Sequence, residues 1–73
     1  MRRQAVESSV LRSVGYDRER ETLEIEFQPG GRIYQYFGVP EEVYRELLAA
    51  PSLGQYFNEK IKGAYPYVRV SRR

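Results

Sequence analysis

Two Tyr-x-Tyr pairs, Tyr34/Tyr36 and Tyr65/Tyr67, are the residues of this chain best suited by type and spacing to contact a ligand. Side chains on an extended segment alternate faces, so each pair presents two rings to one side. Phenol rings stack on unpaired bases, and each stacked base contributes roughly 1–3 kcal/mol. Lys60, Lys62 and Arg69 lie close to the second pair and Arg32 beside the first, and cations of this kind track phosphates. The combination offers recognition of RNA, as tRNA or as a single strand. If the two segments run side by side, four rings and four cations share one surface. The competing reading makes the tyrosines core and the cations solubilising charge.

Catalysis has much less to work with. The chain has no histidine and no cysteine, which removes the usual base at neutral pH, the thiolate nucleophile and the commonest metal ligands. Glu24 and Glu26 share one strand face, the ordinary pattern of a solvated side. Asp17, Glu19 and Glu21 carry hard-cation donors, but the interleaved Arg18 and Arg20 and the lack of a loop glycine oppose a calcium site. Ser8 and Ser9 have no base near them in sequence. Gly30-Gly31 joins two strands, not a strand and a helix, so it makes no phosphate loop. The chain reads as a non-catalytic binding domain with no cofactor and no metal. No apolar run approaches the roughly 20 residues that span a bilayer, and Met1-Arg2-Arg3-Gln4 leads into no signal-peptide core. A soluble, cytoplasmic protein is expected.

Charge is unevenly spread. The net +2 of the 73 residues divides into +2 over residues 1–16, −5 over 17–59 and +5 over 60–73, where Lys60, Lys62, Arg69, Arg72 and Arg73 meet no acid. Such asymmetry suits a polyanion-facing end, or pairing between copies. A second function class is therefore a protein-interaction module, with Tyr65 to Val70 adding a strand to a partner or to itself. Pro66 and the arginines of the tail would oppose that pairing.

The elements that must position these groups are legible from period and punctuation. Residues 9–16 read as a first strand of mixed alternation, followed by a charged turn from Asp17 to Glu21. Thr22 to Phe27 alternates cleanly, with Leu23, Ile25 and Phe27 on one face and Glu24 and Glu26 on the other. Gln28-Pro29-Gly30-Gly31 signals a hairpin, and Arg32 to Phe37 returns as the third strand. Pro40-Glu41-Glu42 opens a helix with acids at the positive end of its dipole, and Val43, Tyr44, Leu47 and Leu48 form its apolar stripe. Ala49-Ala50-Pro51 stops it. Ser52 caps a second helix in which Leu53, Phe57 and Ile61 recur every four residues, with Gly63 as the left-handed cap. Tyr65 to Val70 is a last extended piece, an edge because Pro66 lacks a donor. The expectation is one α+β domain over residues 5–70, flanked by basic termini at 1–4 and 71–73. It has a three-stranded antiparallel meander, a helical hairpin packed on one face and a C-terminal extended segment.

Whether Tyr34 and Tyr36 face the core turns on the parity of the hairpin. A two-residue turn puts them on the face of Leu23, Ile25 and Phe27, under the helices. A type I turn with a bulge at Gly31 makes the loop odd, points both rings outward and sends Ile33 and Phe37 inward. Gly-Gly favours the first; Pro29 equally suits the second.

The order Gly15-Tyr16-Asp17, Leu23-x-Ile25-x-Phe27, Tyr34-Gln35-Tyr36 with Val39-Pro40, Gly54-x-Tyr56-Phe57-Asn58 and Ile61-Lys62-Gly63-x-Tyr65-Pro66-Tyr67 resembles the KTSC domain. This short module is named for its place at the C-terminus of some lysyl-tRNA synthetases, and it also occurs as a free-standing bacterial protein. The resemblance runs from Ser8 to Val70, with a Phe27-to-Tyr34 connection one residue longer than is usual in the family. It implies a small α+β fold. Through the synthetase context, it also implies a role in RNA binding that the family itself does not have established.

Overall fold

The computed structural model describes residues 2–70. Met1 and the 71–73 stretch, with Arg72 and Arg73 of the basic tail, lie outside the described residues. The expected α+β fold forms around a five-stranded antiparallel sheet in sequential order: β1 (Gln4–Ala5), β2 (Leu11–Asp17), β3 (Thr22–Phe27), β4 (Ile33–Phe37) and β5 (Tyr67–Val70). Helix α1 (Glu41–Ala49) and the short helix α2 (Leu53–Tyr56), continued by a π-helical turn (Phe57–Ile61), connect β4 to β5. No helix among the described residues is long and apolar enough to cross a membrane.

The strand count corrects the three-stranded expectation. The C-terminal segment is a full edge strand, with Ile33 opposite Val70 and Tyr36 opposite Tyr67. The second addition, β1, lies partly in what the sequence reads as a basic terminus. It pairs Gln4 with Val14 and Ala5 with Ser13, and two residues are too few to show a period.

The mixed alternation of β2 has a specific cause. Leu11 stands opposite Phe27 and Ser13 opposite Glu26, so Arg12 is the extra residue of a bulge. The bulge lets Leu11 and Val14, three apart, both reach the core with no exposure. They join Leu23, Ile25, Tyr36, Val39, Leu47, Phe57 and Ile61 in one cluster between the sheet and the helices.

The outer face of the sheet departs from the solvated reading. Glu24 is 6% exposed, because β1 carries Arg3 across it. The Arg3 guanidinium pairs with Glu24, its Nε donates to Ser13 Oγ at 2.9 Å, and Ser13 Oγ donates to Glu26 Oε1 at 2.9 Å. Gln35 Nε2 donates to the other Glu24 oxygen at 2.8 Å. A buried carboxylate is tolerated only with partners of this kind.

The second helix also differs from the plain α-helix expected. Ser52 Oγ accepts from the Gln55 N–H at 3.2 Å, as its N-cap position requires. From Phe57 the turn widens, and the Lys62 N–H donates to the Phe57 carbonyl at 2.8 Å, five residues back. The wider turn keeps Phe57 and Ile61, four apart, both buried against the sheet. Gly63 then takes the left-handed conformation, φ 80°, and the chain turns back toward β5.

Candidate nucleic-acid interface

Hairpin parity is settled by the ladder between β3 and β4. Leu23 pairs with Tyr36 and Ile25 with Tyr34, so both tyrosines stand on the core face of the sheet. The Phe27 N–H donates to the Arg32 carbonyl at 2.8 Å, closing a four-residue loop, Gln28 to Gly31. Gly30 and Gly31 both adopt positive φ, 101° and 69°, a conformation glycine takes without steric cost. The loop is longer than the two-residue turn considered above but has the same even parity, and the bulged, outward-facing alternative does not occur.

Facing the core does not seal both rings off. Tyr36 is 5% exposed and Tyr34 half-buried. Across the ladder β5 sets Tyr67 opposite Tyr36, and this ring is 56% exposed. The three rings form a triangle, with centroids 5.5 Å apart for Tyr34–Tyr67 and Tyr36–Tyr67 and 6.5 Å for Tyr34–Tyr36. Phe57 meets Tyr36 edge-on at 5.6 Å, and Phe27 meets Tyr34 edge-on at 5.7 Å, arrangements favoured by the ring quadrupoles.

The rings line an open cleft of about 440 Å³. The β3–β4 loop contributes Gln28, Pro29 and Arg32 to its lining, and the end of the π-turn contributes Lys62 and Gly63. The widened turn thus ties one wall residue, Phe57, directly to one lining cation, Lys62, through a backbone hydrogen bond. No carboxylate among the described residues lines the cleft. Among the described residues, neither Arg32 nor Lys62 takes part in an ion pair.

The Tyr36 hydroxyl has its pKa pushed up to about 12, first by burial and then by the phenols of Tyr34 and Tyr67. It stays a protonated donor through the whole physiological range. Among the described residues, the hydroxyls of Tyr34, Tyr36 and Tyr67 have no hydrogen-bond partner.

Of the eight residues singled out in the sequence, five meet at this cleft: Arg32, Tyr34, Tyr36, Lys62 and Tyr67. Arg69 is exposed on the same face, paired in register with Tyr34. Lys60 is exposed on the π-turn outside the cleft lining. Tyr65 corrects the four-ring expectation, because it is half-buried and packs against the core. Sequence reasoning missed Phe27 and Phe57 as cleft walls, since both read simply as core positions.

A second depression, about 550 Å³, lies at the far end of the sheet beside the stacked Tyr16 and Tyr44 rings, 5.1 Å apart. Its charges are of both signs, and Arg18 there already pairs with Glu41 at 3.1 Å. Of these two, the first cleft is the one that combines an aromatic wall with cations lacking an ion-pair partner among the described residues.

A sequential antiparallel sheet, backed on one face by a short helical hairpin that leaves an aromatic cleft open beside its last strand, defines a small α+β domain class. This chain belongs to the KTSC domain family, whose model matches residues 7–65. It is 49% identical over 71 residues to an uncharacterised protein of Stutzerimonas stutzeri, covering 96% of this chain and 99% of the relative. A lysine–tRNA ligase of Nostoc punctiforme is 43% identical over 65 residues; these cover 89% of this chain but 11% of the ligase. The crystal structure of a KTSC domain protein from Yersinia pestis superposes with a TM-score of 0.92 at 40% identity, over 96% of this chain and 97% of the other.

Proposed function

We propose that this domain binds single-stranded RNA, including unpaired segments of tRNA, in the Tyr34–Tyr36–Tyr67 cleft and without catalysis. One observation carries the reading: an exposed aromatic ring shares a cleft with two cations that have no ion-pair partner and with no carboxylate among the described residues that line it. Stacking supplies sequence-tolerant affinity and the cations hold the phosphates. The 43% identity to a segment of a lysine–tRNA ligase is consistent with this partner class, and a cytoplasmic setting goes with it.

The test is a titration of the purified protein with labelled tRNA and with a short single-stranded RNA, each at two salt concentrations. Saturable binding that weakens with salt is expected. Lys62→Ala should reduce the salt slope by about 0.7, the share of one single-strand phosphate, while Lys60→Ala leaves it unchanged. Absence of binding at low salt would sink the reading.

The alternative, a protein-interaction module, rests on the open edge of β5, where Val68 is 49% exposed beside Tyr67. Strand addition there, to a second copy or another chain, would be insensitive to salt and would survive Lys62→Ala.

A further inference from the structure

Building on the RNA reading, we infer that the cleft is a site for one nucleotide, with a single unpaired base on Tyr67 and its two flanking phosphates on Arg32 and Lys62. The count follows from the free ring faces. Tyr36 is 5% exposed and stands edge-on to Phe57. Tyr34 is covered by Phe27 and by the two other tyrosines. Tyr67, 56% exposed, is the ring left with a face to offer. A volume of about 440 Å³ falls at the small end of ligand sites, which run from about 300 to 1,000 Å³. The two cations that line the cleft come from different elements, Arg32 after the β3–β4 loop and Lys62 after the π-turn, one for each phosphate that flanks the base.

The polar groups inside the cleft fit a base edge. Tyr36 is deeply buried, yet its hydroxyl takes no protein partner among the described residues and is not sealed from solvent. With the Tyr34 and Tyr67 hydroxyls, which belong to residues lining the same cleft, it makes a trio without protein partners among the described residues. A phenol both donates and accepts, so the trio holds the edge of any base, and the site discriminates paired from unpaired and not base from base. A duplex base has neither a free face nor a free Watson–Crick edge.

Titration with uridine mononucleotide, dinucleotide and octanucleotide, and with an RNA duplex, tests this. The octanucleotide should exceed a 5′-phosphorylated dinucleotide, whose first nucleoside has a phosphate on each side, only by its number of equivalent positions, and both should show a salt slope near −1.4, two phosphates at about 0.7 each, against about −0.7 for the mononucleotide. The duplex should not compete. Tyr67→Ala, at an exposed position, should keep the fold and weaken binding about five- to 150-fold. A slope that steepens with length, or a neutral Tyr67→Ala, would overturn the one-nucleotide site while leaving RNA binding intact. Failure of every single strand to bind would overturn both.

Discussion

Tyr36 serves the core and the cleft with one side chain. Its ring belongs to the buried cluster with Leu23, Ile25 and Phe57, while its hydroxyl opens toward Tyr34 and Tyr67. Tyr36→Ala should therefore cost about 3–5 kcal/mol of stability, as for other large aromatic truncations, measured by denaturant unfolding. The hydroxyl leaves a separate signature in alkali. Below pH 10 the phenol is protonated in both folded and unfolded chains. Between pH 10 and about 12 the unfolded chain loses this proton first, so stability falls as pH rises through that window. Tyr36→Phe should flatten that decline while leaving stability at neutral pH nearly unchanged. An unaltered alkaline slope in the variant would contradict the burial of this hydroxyl.

Among the elements, β1 is held by contacts that sequence patterns do not display. A Cβ on Gly15 would run into the carbonyl oxygen of Arg2, so the first strand crosses β2 where only glycine leaves room. Gly15→Ala should push the arm away, at a cost of about 1–3 kcal/mol, and should raise amide hydrogen exchange at Gln4 and Ala5 in particular. Unchanged protection there would show that the arm tolerates the methyl group. The clean period-two pattern of Thr22 to Phe27 made β3 legible, and Pro40-Glu41-Glu42 with Ser52 marked both helix starts. Burial of Glu24 was not legible, because its cover, Arg3, arrives from 21 residues away. Nor was hairpin parity: Gly30 and Gly31 accept either turn, and the four-residue loop is fixed by long-range packing of Tyr36 with Phe57.

For the whole molecule, the uneven charge seen along the chain acquires a direction. Acids gather on α1 and the β2–β3 turn, where Arg18, Arg20 and Arg45 pair with Glu41 or Asp17. Arg32, Lys62 and Arg69 lie with the cleft and the edge strand, without ion-pair partners among the described residues. Five of the eight contact residues read from sequence converge there. Tyr65 could not be separated from them, since a strand-like Tyr-x-Tyr spacing does not reveal that Pro66 and the preceding turn deliver its ring to the core. Amide chemical-shift mapping of the protein with a short single-stranded RNA at low salt addresses the central claim most directly. Shifts concentrated at Arg32, Tyr34, Lys62, Gly63 and Tyr67 are expected. Shifts confined to the depression around Tyr16, Arg18 and Tyr44, or none at all, would contradict it.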